Sequence, residues 1–286
     1  MFEFGRAGLY GRVLEAGTLT PEVSIVILSW QHPEVIDICL RSLVPTEGSY
    51  EVIVVDNGSG PETVNALREH QAEGRIDVLV EEPENRYFSE GNNIGVAHSN
   101  PGSKYILILN SDVAFLRPDW LVKMVAWMEG TITYRAAAWD FAPAAPKPGP
   151  RDIVSLNYSN DHTIEGGVRP EGECCLIRRS WWRDISTDFP WLYGFDEMLA
   201  NAIRDGARCG LLSQPALGNL QSPYIFHRKH GSTKSPAEAA ELNAKLAQIP
   251  TRRQPDMTGW YAGLADRIEC LDFTPGPNER DSFLVW

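Results

Sequence analysis

Apolar runs of strand length alternate with apolar positions at helical spacing over the first 130 residues. The clearest run is Tyr105-Ile106-Leu107-Ile108-Leu109, closed by three polar residues, Asn110-Ser111-Asp112. Its length and composition are those of a strand buried on both faces. Val23 to Leu28, rich in β-branched residues, reads as another strand, ending at Ser29-Trp30-Gln31. Pro33 suits a first helical turn, and Val35, Ile36, Cys39, Leu40 and Leu43 recur at helical spacing until Pro45 stops the element. A strand over Glu51 to Val55 runs into Asp56-Asn57-Gly58-Ser59. There Ser59 and Glu62 form a capping-box pattern for a helix through Val64 and Leu67. A strand over Ile76 to Val80 leads through Glu84-Asn85-Arg86-Tyr87-Phe88 to a short helix at Gly91-Asn92-Asn93-Ile94-Gly95. Leu121, Val122, Val125 and Met128 mark an amphipathic helix over Pro118 to Met128.

Four strand–helix alternations predict a parallel sheet with right-handed crossovers. Each predicted strand exit is polar: Ser29, Asp56, Glu81 and Asn110. Ligands of open α/β sheets sit outside the carboxyl ends of the strands, so the pocket is expected along that edge. A carboxylate there can hold a hard divalent cation, and the cation a diphosphate; Asn, Ser and Asp are also ordinary turn residues. From Thr131 to Pro170 the pattern breaks, and Pro143, Pro146, Pro148 and Pro150 disfavour a continuous helix. Order returns with a strand over Glu173 to Arg179, a helix from Ser180 (Trp181, Trp182, Ile185), and a helix after Asp196-Glu197. That second helix carries Met198, Leu199, Ala202 and Ile203 on one face, with Gly206 near its end. Cys209 to Leu212 is a further short strand, Ala237 to Ile249 a helix, and Trp260 to Ile268 another in a mixed tail.

Composition narrows the function. With 286 residues, 43% hydrophobic and 22% charged, the chain reads as a globular protein of one domain with appendages, or of one and a half. A net charge of −12 argues against a nucleic-acid partner. It also means that a bound anion must be met locally, by a metal, a helix N-terminus or a few basic residues. The cysteines, Cys39, Cys174, Cys175, Cys209 and Cys270, are odd in number and not at zinc spacings, as expected of buried reduced thiols in a cytosolic protein. Met1 to Glu22 lacks the apolar core of a signal peptide, and no apolar run is long enough to cross a bilayer.

Six segments in order carry a family resemblance: Ser24 to Ser29, Val54-Val55-Asp56-Asn57-Gly58-Ser59, Arg86-Tyr87-Phe88 through Gly91-Asn92-Asn93-Ile94-Gly95, Leu107 to Asp112, Leu176-Ile177-Arg178-Arg179, and Tyr193-Gly194-Phe195-Asp196-Glu197. Over residues 22–234 the chain resembles the inverting family 2 glycosyltransferases of the GT-A fold, close to the rhamnosyltransferase-like branch. The resemblance implies a Rossmann-like α/β domain whose mostly parallel central sheet is flanked by helices. It divides the chain into an N-terminal extension (1–21), a nucleotide-binding half (22–130), an acceptor and catalytic half (131–234) and a C-terminal helical extension and tail (235–286).

It further implies that Asp56 accepts hydrogen bonds from the nucleotide base, which suits a base presenting an N–H. Ser29, Asn57, Asn92, Asn93, Asn110 and Ser111 would line the nucleotide. Asp112 matches the last acid of the family's Asp-x-Asp metal motif, with Asn110 in place of the first. Mn2+ or Mg2+ is the expected cofactor. His227 matches a histidine that completes the metal site in some relatives, or is an exposed member of a basic patch. Arg228, Lys229 and His230 would hold the diphosphate by charge. The catalytic base is Asp196 or Glu197, with Asp196 favoured by the count from Tyr193-Gly194, although Phe195 stands where relatives often have Glu. Glu173, Trp191 and Tyr193 would border the sugar and acceptor, and Glu173 stands where relatives carry small residues.

The expected activity is transfer of a hexosyl or deoxyhexosyl group from a UDP- or dTDP-sugar to a hydroxyl of a glycan or lipid-linked acceptor, in polysaccharide biosynthesis. The place would be the cytoplasm, with peripheral association at the inner membrane face left open, as is oligomeric state. A pyrophosphorylase would need a Gly-rich basic loop after the first strand, and Ser29-Trp30-Gln31-His32-Pro33 is not one. The alternative kept open is a nucleotide-sugar-binding scaffold without turnover.

Overall fold

Seven parallel strands and one reversed strand form the central sheet. The fold is known from a computed structural model, which describes residues 20–115, 117–130, 149–157, 163–164, 167–168, 170, 172–191, 193–213, 225–227 and 252–272. Its elements are β1 (Val23–Ser29), α1 (Pro33–Leu43), β2 (Tyr50–Asn57), α2 (Pro61–Ala72), β3 (Val78–Glu82), α3 (Tyr87–Ala97), β4 (Tyr105–Asn110), β5 (Val113–Phe115) and α4 (Trp120–Glu129). They continue with β6 (Ile153–Asn157), β7 (Thr163–Ile164), β8 (Gly167–Val168), β9 (Cys174–Arg178), α5 (Gly194–Asp205), β10 (Cys209–Ser213), β11 (Ile225–His227), α6 (Met257–Tyr261) and β12 (Ile268–Asp272).

The large sheet has the order β12-β10-β6-β9-β4-β1-β2-β3. Only β9 runs against its neighbours, β4 and β6. The predicted alternation through α4 is therefore present, with boundaries shifted by about two residues at β3 and α4. Strands β1, β2 and β4 are apolar on both faces, because one face meets α1 and α4 and the other meets α3 and α5. Two glycines set the second contact. A Cβ on Gly91 would lie 2.5 Å from Leu28 Cδ1, and one on Gly95 would lie 2.4 Å from Val26 Cγ1. Four residues apart on one helical face, they let α3 lie directly on β1 and β2.

Arg179 closes the opposite end of the sheet. Its guanidinium donates to the Ser103 carbonyl at 2.8 Å, to Ser99 Oγ at 2.9 Å and to Ser24 Oγ at 3.1 Å. Arg178 reaches Asp152 and Glu129. The Leu-Ile-Arg-Arg segment thus identifies the fold, and its arginines serve architecture at the edge away from the strand exits.

Four readings are corrected. Ser59 does not cap α2: Gly60 is the N-cap residue, and Ser59 Oγ accepts the Gln31 N–H at 2.8 Å. The segment after Arg179 is one turn of 3₁₀ helix over Arg179–Trp181, followed by extended chain rather than a helix. The expected helix over Trp260 to Ile268 is instead α6 ending at Tyr261, a 3₁₀ turn and strand β12. β12 pairs with β10, so part of the expected C-terminal extension completes the main sheet. Strand β6, unrecognised behind the Pro-rich segment, lies between β9 and β10. The helix expected over Ala237 to Ile249, most of the Pro-rich segment, and residues 1–19 lie outside the described residues. Among the described residues Cys39, Cys174, Cys175 and Cys209 are buried and form no disulfide.

Candidate functional site

The strand register gathers the polar exits. Ser29 of β1 pairs with Asp56 of β2, Leu28 with Asn110 of β4, and Asp56 with Glu81 of β3. The predicted ligand-facing residues therefore share one carboxyl edge across four adjacent strands. Backbone strain concentrates there as well. The non-glycine residues with left-handed φ are Gln31 (56°), His32 (54°), Tyr87 (58°) and Tyr193 (73°), at the entrances to α1, α3 and α5. Such conformations each cost about 1–3 kcal/mol and cluster at functional sites. Gly58, at φ 70°, makes the turn after β2 possible, since a Cβ there would lie 2.5 Å from the Glu84 carbonyl carbon.

Ser29 and Asp56 are buried, and Ser29 Oγ and Asp56 Oδ1 have no hydrogen-bond partner among the described residues. The other Asp56 oxygen accepts the Ser59 N–H at 3.2 Å. Asp56 is thus both a turn residue and a carboxylate with one oxygen left for a ligand. Burial raises its pKa above the usual carboxylate range, the Ser59 bonds oppose this, and the Glu81 charge adds to it.

The asparagines divide their work. Asn57 donates to Asn85 Oδ1 at 2.8 Å and accepts the Arg86 N–H at 2.7 Å, so its amide holds the loop before α3. Asn93 accepts the Ile185 N–H at 2.8 Å and donates to the Ile185 carbonyl at 2.9 Å, strapping α3 to the chain before α5. Asn92 donates to the Phe88 carbonyl, and its Oδ1 is buried without a partner among the described residues. Of the three, Asn92 alone presents an atom suited to a ligand. Glu173 behaves similarly: its Oε2 is buried and unpartnered among the described residues, and its carbonyl accepts the Asn110 N–H at 2.8 Å.

The Asn110-Ser111-Asp112 turn joins β4 to β5, and buried Asp112 raises the pKa of Cys39 on α1 through its charge, second to burial of the thiol. β5 pairs with β11 in antiparallel register, His227 opposite Val113. The chain thus brings His227 beside the residue that follows Asp112, a juxtaposition invisible in a sequence that separates them widely. The His227 side chain, and Arg228, Lys229 and His230 altogether, lie outside the described residues. Among the described residues no group of three or more His, Cys, Asp or Glu side chains could by itself hold a metal. One carboxylate fits a cation that arrives with phosphate oxygens, the usual habit of Mg2+.

The N-terminus of α5 is bolted to that of α3. Ser89 Oγ donates to the Phe189 carbonyl at 2.6 Å, the Ser89 N–H donates to the Pro190 carbonyl at 2.9 Å, and a Cβ on Gly194 would lie 2.8 Å from Ser89 Oγ. Asp196 lies in the first turn of α5, next to this joint. Phe195 is buried, its ring edge-on to Phe88 at 6.2 Å and packed against Gly172. Glu197 is committed elsewhere: Arg253 donates to both its oxygens, at 2.8 and 2.6 Å, and to Asp188 at 2.6 Å. Tyr193 packs edge-on to Phe189, and Trp191 is half-buried in the same stretch.

The family model for "Glycosyl transferase family 2" matches residues 24–181. An "Uncharacterized protein y4gI" of Sinorhizobium fredii (strain NBRC 101917 / NGR234) is 33% identical over 110 residues, a match covering 37% of this chain and 12% of that protein. Among solved structures, the fold is similar to the "Mannosyltransferase PcManGT from Pyrobaculum calidifontis in complex with GDP-Man and Mn2+", at 18% identity and a TM-score of 0.51 over 70% of this chain and 56% of that one. It is also similar to S. aureus TarS 1-349 in complex with UDP, at 13% identity and a TM-score of 0.51 over 77% of this chain and 63% of that one. The chain thus spans less than two thirds of each of these proteins. At these identities the two structures speak for the α/β, GT-A-type fold.

Proposed function

The chain belongs to glycosyl transferase family 2, and from that premise we propose that it is a metal-dependent, inverting glycosyltransferase. It would move a hexosyl or deoxyhexosyl group from a nucleoside diphosphate to a hydroxyl of a glycan or lipid-linked acceptor. One observation carries the reading. Four of the six buried side-chain atoms without partners, on Ser29, Asp56, Asn92 and Glu173, lie at one sheet edge among the described residues. Buried polar groups are nearly always hydrogen-bonded, so such a concentration calls for a ligand. A carboxylate oxygen beside a hydroxyl suits the N–H of uracil or thymine, hence a UDP- or dTDP-sugar.

Asp196 is the base in this reading. It takes the proton of the acceptor hydroxyl as that oxygen bonds the anomeric carbon; the bond from that carbon to the diphosphate breaks, its electron pair leaves with the diphosphate, and the configuration inverts. Asp196 is preferred by the count from Tyr193-Gly194, and Glu197 is held on both oxygens by Arg253. Asp112 would hold Mn2+ or Mg2+, joined by His227 if the family resemblance extends to that residue, and the cation would offset the charge developing on the diphosphate. The mannosyltransferase neighbour was solved with Mn2+, which supports the choice of metal. The rhamnosyltransferase-like affinity rests on the sequence segments, and with it a role in polysaccharide assembly. No helix among the described residues is long and apolar enough to cross a membrane.

The test is release of nucleoside diphosphate with Mn2+ across UDP-, dTDP- and GDP-sugars. Slow donor hydrolysis supports a transferase. Tight binding without release, with or without acceptor glycans, would establish the scaffold alternative instead.

A further inference from the structure

We propose that Glu173 selects the donor sugar, accepting a hydroxyl or amino hydrogen from it and turning away sugars that carry a carboxylate. The proposal rests on the donor-site reading above and adds the chemical class of the sugar. β4 and β9 are antiparallel, with Leu109 opposite Cys174. Continued by one pair, the register sets Asn110 opposite Glu173, and the Asn110 N–H to Glu173 carbonyl bond of 2.8 Å shows that it does continue. Residues directly opposed across a ladder project from the same face. Ile108 and Cys175, two residues back on each strand, lie in the apolar layer with Phe195, Met198 and Leu199 of α5. Alternation therefore places the Asn110 and Glu173 side chains on the α5 side of the sheet. Gly172 touches the Phe195 ring, one residue from Asp196. Glu173 thus stands between the turn that ends in Asp112 and helix α5, whose first turn carries Asp196. A sugar joined to the diphosphate and presented to the base must pass this point.

Its chemistry fits that position. Oε2 is buried and has no hydrogen-bond partner among the described residues. A desolvated carboxylate oxygen left so is costly in any fold, and a neutral residue would pack as well. A donated sugar O–H or N–H would satisfy it; a uronate would set like charges together at a partly buried carboxylate. A site built to bond a hydroxyl also discriminates against an analogue that lacks it.

The experiment measures dissociation constants by calorimetry, with Mn2+, for UDP, UDP-glucose and UDP-glucuronate on the wild-type chain, Glu173→Gln and Glu173→Ala. UDP should bind all three proteins alike. The wild type should prefer UDP-glucose over UDP-glucuronate by about tenfold or more, a range set by hydrogen bonds to charged groups. Near-isosteric Glu173→Gln should bring that ratio close to one, and Glu173→Ala should also weaken UDP-glucose. A ratio unmoved in Glu173→Gln, or a loss of UDP affinity equal to the loss of UDP-glucose affinity, would overturn the role given to Glu173 while sparing the donor site. Failure of the wild type to bind UDP at all would overturn the donor-site reading and this inference together.

Discussion

Asp56 concentrates the residue-scale argument. A buried carboxylate with one oxygen unpartnered among the described residues, and a raised pKa, is ill suited to stability and well suited to a ligand N–H. The sign follows from the direction. Because the folded-state pKa is raised, the group's contribution to stability is present below the unfolded pKa and lost as pH rises through the folded one. Asp56→Asn should therefore match or exceed the wild type in Tm at neutral pH, by calorimetry, while weakening UDP about tenfold or more. UDP affinity of the wild type should fall as pH drops through this raised pKa, earlier than for an ordinary carboxylate, and Asp56→Asn should flatten that profile. The two acids at α5 separate in the same way. Asp196→Asn should lower kcat by about 10²–10⁴ in a protein that still folds. Glu197→Gln should instead loosen the Arg253 clasp, lowering Tm and sparing most of kcat.

Helix α3 shows at the element scale what a sequence motif can and cannot reveal. Gly91-Asn92-Asn93-Ile94-Gly95 is recognisable as a unit, yet its residues do three jobs: the glycines admit the helix to the sheet, Asn93 straps it to Ile185, and Asn92 presents an oxygen. Gly95→Ala should cost about 1–3 kcal/mol in urea unfolding, the usual penalty of overpacking, because Val26 and Val55 stand in the way of the added methyl. Strands β1, β2 and β4 were legible because two buried faces impose continuous apolar runs. β9 was legible as a strand, but its reversed direction depends on pairing with β4 and β6, which no local pattern encodes. β6 and β12 were hidden for the same reason: each is a short run made a strand by its neighbours. The Ser59 capping pattern misled because the hydroxyl has a better use, joining the turn after β2 to the one after β1.

At the scale of the molecule, the two sheet edges are held differently. The site edge keeps polar atoms unpaired among the described residues, whereas the β6-β10-β12 edge is closed by Glu269, which meets buried Arg151 at 2.9 Å and Arg208 at 2.8 Å. Arg151 also donates to the Trp127 carbonyl at 3.1 Å, tying α4 to this edge. Glu269→Ala should destabilise by about 3–5 kcal/mol in urea unfolding, since it strips a buried guanidinium of its counter-charge. Partners 118 residues apart are beyond any reading of spacing, so this lock was not legible in the sequence. The acidic exits were legible, because strand ends and carboxylates both appear in the sequence; the β5–β11 pairing that sets His227 opposite Val113 was not. The most direct test of the account is a calorimetric titration of UDP into the full chain, with Mn2+ and with a chelator, for the wild type and Asp112→Asn. The account predicts UDP binding that requires Mn2+ in the wild type, and loss of that requirement together with most of the affinity in a folded Asp112→Asn. Equal UDP binding with and without Mn2+, or an Asp112→Asn protein that binds UDP and Mn2+ as well as the wild type, would contradict it.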